Sequence, residues 1–221
     1  MRMDFFSQDQ LFLLYIVSLF FIAYIKYTNS GFLKNNLLAV LNYNTALQFQ
    51  KSEVNNKSLI NNFLSVNFYL SVSIFSVYIL NKFNLIPENI NHFLLFVGII
   101  LILIILVYLN AVINLFSAFI FNIKDIAGSV NLNSKYFYHA FGLIIFIINI
   151  FISFSSISNI AFYIGIICFA LFYLLRILRF IKINLSKQMN SFYLFLYLCT
   201  VEILPILYVI KIFTIYHATT N

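Results

Sequence analysis

Six hydrophobic runs separated by polar stretches dominate the chain, at residues 11–27, 60–80, 93–120, 137–156, 159–181 and 191–213. About 20 apolar residues at a rise of about 1.5 Å each cross the hydrocarbon core of a bilayer, so each run predicts a membrane-spanning α-helix. The third, Phe93 to Ile120, is longer than a bilayer requires and should tilt or project, with Asn122 to Asp125 beyond the membrane. Barrel strands alternate apolar and polar residues over about ten positions and never stay apolar for so long, which excludes a membrane barrel. The expected fold is all-α and polytopic, one membrane domain over residues 1–221, with no Gly/Pro/Ser-rich linker, soluble domain or internal repeat.

Only the connection from Thr28 to Ser58 is long. Its centre, LNYNTALQFQ from Leu41 to Gln50, alternates with period two, the pattern of a strand. A lone strand has no partner to bond, and on a helical projection Asn44 and Gln48 fall among the apolar positions. The expectation is a helix lying at the membrane interface between the first and second spans.

Composition agrees with this reading: 63% of residues are hydrophobic and 9% charged, with a mean hydropathy of +0.98. A net charge of +7 would suggest nucleic acid in a soluble protein, but here the cations lie between hydrophobic runs and face lipid headgroups instead. The connections after the first, third and fifth runs hold Lys26, Lys34, Lys51, Lys57, Lys124, Lys135, Arg176, Arg179, Lys182 and Lys187; the other side holds Arg2, Lys82 and Lys211. The positive-inside bias therefore predicts both termini outside the cytoplasm. Arg2 followed by an apolar run resembles a signal peptide, but no small-x-small site follows Ala23, so the first run is expected to remain as an uncleaved span. Cys168 and Cys199 lie inside hydrophobic runs without metal-ligand spacing and read as buried free thiols.

Polar residues inside the runs are few. Glu202 sits midway between Ser191 and Phe213, and Pro205 breaks the helical ladder three residues later. A charge at that depth costs roughly 2.5–3.5 kcal/mol on insertion scales, so the carboxyl should be neutralised, paired or kept for a purpose. Asn110 and Asn114 share a face of the third span; His139 starts the fourth, Asn149 lies near its middle, and Arg176 and Arg179 end the fifth. Two readings compete. In one, the asparagines bond between helices, the arginines snorkel to headgroups and His139 is interfacial. In the other, Asn110, Asn114, His139, Arg176 and Glu202 converge on a cytoplasm-facing cavity that holds an anionic group or passes a proton, with Arg176 as partner to Glu202. Glu202 itself would serve either as protonated hydrogen-bond glue or as a proton carrier.

There is no HExxH, GxSxG, P-loop or paired acidic motif, so no catalytic residue, metal site or cofactor is expected. A haem would need two histidines facing each other, and His92 and His139 fall at opposite membrane sides.

The segment FYLLRILRFIKINLSKQ from Phe172 to Gln188, with FYLFLYLCTVEILPILYVIK from Phe192 to Lys211, resembles an uncharacterised membrane-protein family of the Bacteroidota, a domain of unknown function. The resemblance covers the last third of the chain. It implies a bacterial inner-membrane protein, supplies no activity or cofactor, and matches the family's motif at Arg176, Arg179, Glu202 and Pro205. Two functions are then expected from different classes. One is a non-enzymatic subunit or assembly factor of a cell-envelope complex of the export or gliding type, with membrane lipids and other membrane subunits as partners and no nucleic acid. The alternative is a small proton-coupled transporter or lipid-handling protein that uses Glu202.

Overall fold

The computed structural model describes residues 8–42, 58–83, 85, 91–120, 124–155, 157–186 and 211. Six α-helices lie among them: α1 (Gln8–Thr28), α2 (Phe32–Leu41), α3 (Ser58–Lys82), α4 (His92–Ile120), α5 (Lys124–Phe154) and α6 (Ser158–Ser186). Five of these, all but α2, are long and apolar enough to cross a membrane. They coincide with the first five hydrophobic runs; the sixth run apart from Lys211, and with it Cys199, Glu202 and Pro205, lies outside the described residues, as does most of the stretch Leu41 to Gln50.

α3 and α5 form the centre. Over half of their spans is buried (56% each), against 22% for α1, 17% for α6 and 6% for α4, so the last three surround the central pair and turn apolar faces outward. α4 is both the most apolar, at a mean hydropathy of 3.0, and the least buried. That inverts the rule for soluble helices and is what a lipid-facing helix requires, because lipid tails are as apolar as the side chains they meet.

The central pair runs parallel, which leaves α4 as the return path between them. Ser65 meets His139 and Phe68 meets Gly142. Further along, Tyr78 meets Ser153. The contact at Gly142 is backbone on backbone: a Cβ there would lie 2.6 Å from Phe68 Cα. Small residues at such crossings bring membrane helices close enough for dispersion to hold them. Gly165 does the same on α6, where the Phe75 ring occupies the place of a Cβ.

Two polar clasps add direction to this packing. Asn149 Nδ2 donates to Ser71 O at 2.7 Å, fully buried between α5 and α3. One turn further on, the hydroxyls of Tyr15 and Tyr78 each lie 2.7 Å from Ser153 Oγ and tie α1, α3 and α5 at one end of the bundle. Lys82 Nζ donates to Asn159 Oδ1 at 2.9 Å at the same end. The opposite end carries Lys26, Lys34, Lys135, Arg176, Arg179 and Lys182, and is called the basic end below.

Two boundaries depart from the hydropathy pattern. α5 begins at Lys124 rather than near Phe137, so Lys124 and Asp125 open a helix instead of forming a loop. The added turns are polar (KDIAGSVNLNSKY) and escape a hydropathy search, yet Val130, Asn133, Ser134 and Tyr136 are buried and hold them in register. The long connection does contain a helix, but α2 ends where the period-two stretch begins. α2 packs against α5 and α1 and buries Phe32, Asn36, Ala39 and Val40. Its entry from α1 is a tight turn, in which Thr28 Oγ1 donates back to Tyr24 O and Phe32 N donates to Asn29 O.

Candidate functional site

Between α3, α4 and α5, in the half of the bundle toward the basic end, lies a cavity of about 280 Å³. α3 contributes Ser65, Phe68 and Tyr69, and α4 contributes Val107, Asn110 and Ala111. α5 contributes the most polar wall: Asn131, Ser134, Lys135, Tyr138 and His139. These α5 positions recur at helical spacing, 131 to 135 and 134 to 138, so one stripe of the polar N-terminal extension faces the cavity.

His139 is 1% exposed, and its Nε2 lies 3.1 Å from Ser65 Oγ. The hydroxyl of Ser65 also donates to Asn61 O at 3.0 Å in its own helix. On the α4 side, Asn114 Nδ2 donates to Asn110 Oδ1 at 3.2 Å and to Asn131 Oδ1 at 2.8 Å. One amide group thus joins the two asparagines of the cavity wall across the α4–α5 interface, and it fixes which end of each carboxamide is spent.

The two arginines of α6 grip adjacent residues of α5. The Arg176 guanidinium lies 5.3 Å from the ring centre of Tyr138, which also lines the cavity and packs on Phe68. Arg179 lies 5.5 Å from the ring of Phe137 and is only 8% exposed. Its Nη1 donates to Ala39 O and, at 2.8 Å, to Val40 O. Those are among the last carbonyls of α2, which no helical donor can reach, and a cation suits that end of a helix dipole. Arg179 is thus tied to the end of α2, and His139 is buried inside the bundle.

Of the residues drawn from sequence, the structure brings Asn110, Asn114, His139 and Arg176 to the cavity or its wall. Arg179 stands behind it as the tie to α2, and Asn149 lies elsewhere, on Ser71. Glu202 and Pro205 are outside the described residues. Sequence reasoning missed Ser65, Asn131, Ser134 and Tyr138, and it used Lys135 only for orientation, as a loop cation. The signal that finds those on α5 is the four-residue spacing of Asn131 and Lys135 and of Ser134 and Tyr138 once α5 is extended to Lys124. Among the described residues no group of three or more His, Cys, Asp or Glu side chains could hold a metal ion.

The fold and the cavity together define a multi-pass helical membrane protein with a polar recess let into one half of its bundle. The chain belongs to the family described as Domain of unknown function (DUF4271), whose model matches residues 11–213. The relationship therefore extends over all six hydrophobic runs and not only over the C-terminal third. No curated protein and no solved structure matches the chain.

Proposed function

We propose that this protein binds a polar solute or lipid headgroup within the membrane, in a transport or lipid-handling role. The observation that carries the reading is the cavity itself. In an apolar bundle, Ser65, Asn110, Asn131, Ser134, Lys135 and His139 are gathered from three helices onto one recess, although polar side chains are costly there. The absence of a catalytic motif in the sequence favours binding over chemistry. In this reading the basic end faces the cytoplasm of the bacterial inner membrane, in Bacteroidota, and both termini are periplasmic.

The second reading is a subunit or assembly factor of a cell-envelope complex, and α4 favours it. A helix with 6% of its span buried can accept partner helices along most of its length. One experiment separates the two: purification of the tagged protein at native expression in gentle detergent, followed by native mass spectrometry. A retained lipid or small molecule that is lost on filling the recess with Ser65→Leu supports the binding reading. Stoichiometric protein partners and no retained ligand support the subunit. Impermeant thiol labelling of cysteines placed at Lys34 and Lys82 tests the orientation, and labelling of position 34 in intact cells refutes it.

A further inference from the structure

We propose that the recess between α3, α4 and α5 is a site for a phosphate-type anion, the chemistry shared by inorganic phosphate and the head of an anionic phospholipid. This rests on the reading of the recess as a binding site, and adds the sign of the charge and the atoms that recognise it.

The lining carries carboxamide N–H donors and a cation. Asn110 and Asn131 both spend their Oδ1 atoms on the amide of Asn114, which leaves the NH₂ end of each carboxamide as the group still able to bond. Asn114 is thus a positioning residue: it turns two asparagines into donors. His139 Nε2 lies at the Ser65 hydroxyl, and Nδ1 has no hydrogen-bond partner among the described residues although the ring is buried. Because Ser65 gives its one proton to Asn61 O, Nε2 carries the imidazole proton and donates to Ser65 Oγ, and Nδ1 is not counted among the donors. Lys135 adds a positive charge to the same wall, and among the described residues no carboxylate lines the recess. Half-buried carboxamide N–H donors beside an ammonium match the lone pairs of a phosphate oxygen, and they would leave a cation badly solvated.

Size and walls agree. A volume of 280 Å³ equals about nine waters at roughly 30 Å³ each, room for a phosphate and its ester oxygens but not for acyl chains. The outer wall is α4, whose Leu106, Leu109 and Ile113 are exposed apolar positions beside Asn110 and offer a track for such chains.

The test uses the full chain, stripped of lipid in neutral detergent. One arm measures binding of radiolabelled inorganic phosphate; the other compares retention of phosphatidylglycerol with that of a galactosyl diacylglycerol of identical chains. Preference for either phosphate carrier over the galactolipid is expected, at least tenfold weaker in Lys135→Met, restored in Lys135→Arg, and unchanged in Lys26→Met at the same end of the bundle. Asn114→Leu should narrow the ratio between the two lipids, since freed carboxamides present oxygens as readily as nitrogens; a purely structural loss would lower both equally. Equal retention of the galactolipid, or phosphate binding indifferent to Lys135, overturns the anion assignment and leaves the binding reading standing. Failure to retain any of the three probes overturns both.

Discussion

Replacing Gly142 with Ala adds a single methyl group where α5 meets α3. Its carbon would stand 2.6 Å from Phe68 Cα and 2.9 Å from Phe68 Cβ, whereas carbons rest at about 3.5–4.0 Å. Neither atom belongs to a flexible side-chain end, so the helices must part by about 1 Å. That movement also stretches the Ser65–His139 bond of 3.1 Å and the Asn149–Ser71 bond of 2.7 Å, which flank the contact along the same pair, beyond hydrogen-bonding distance. Overpacking costs about 1–3 kcal/mol, and each lost bond in a bilayer protein about 0.6 kcal/mol; the better helix propensity of Ala returns at most about 1 kcal/mol. The net loss is about 1–3 kcal/mol, a fall of roughly 2–12 °C in Tm for a chain of this size. Melting followed by a thiol-reactive dye at Cys168, in a Cys199→Ser background, measures it, because that half-buried thiol lies against the central cluster. Two further alanines calibrate the result. Gly98→Ala meets nothing within 4 Å and should be neutral or stabilising, and Gly165→Ala meets side-chain atoms, the Phe75 ring and Ile148 Cγ2, rather than backbone and should fall between. Gly142→Ala melting level with Gly98→Ala would refute the close-contact argument.

Two buried asparagines should respond to the same substitution with opposite signs. Asn149 spends its amide on Ser71, so Asn149→Leu should cost about 0.5–2 kcal/mol. Asn67 is fully buried with neither end of its carboxamide bonded among the described residues, so Asn67→Leu should stabilise by about 1–3 kcal/mol in the same melting assay; destabilisation there would mean the amide is in use. Arg179→Met removes both donors to the end of α2 and should cost about 2–3 kcal/mol. Cleavage between α2 and α3 by added protease should then accelerate, whereas an unchanged pattern would show that α2 is held by its apolar face alone.

The spans were legible because membrane insertion depends on summed hydropathy, which five runs satisfy without ambiguity. The first turns of α5 were not, because Asn131, Asn133, Ser134 and Lys135 lower the local hydropathy while tertiary contacts keep the segment helical and partly buried. The cavity inherited that error: its α3 and α4 residues lie inside recognised spans, but Asn131, Ser134 and Lys135 of its polar wall stand on the overlooked extension. Arg179 illustrates a different limit. A basic residue near the end of a span has two satisfactory fates, headgroup or buried carbonyl, and the choice depends on whether another helix end lies within reach. Nothing within α6 records that α2 is there.

That capping contact also sets an order of events during synthesis. Ala39 and Arg179 are 140 residues apart, so at bacterial-to-eukaryotic elongation rates of about 5–20 residues per second the carbonyls of α2 wait roughly 7–28 s for their donor. Until α6 has entered the bilayer, α2 has only its apolar stripe to keep it from sliding off the growing bundle, and a ribosome that stalls before Arg179 leaves an intermediate with an uncapped helix at its surface. The arginine thus reports completion: the fifth span locks the first connection in place, and only a chain translated that far can close.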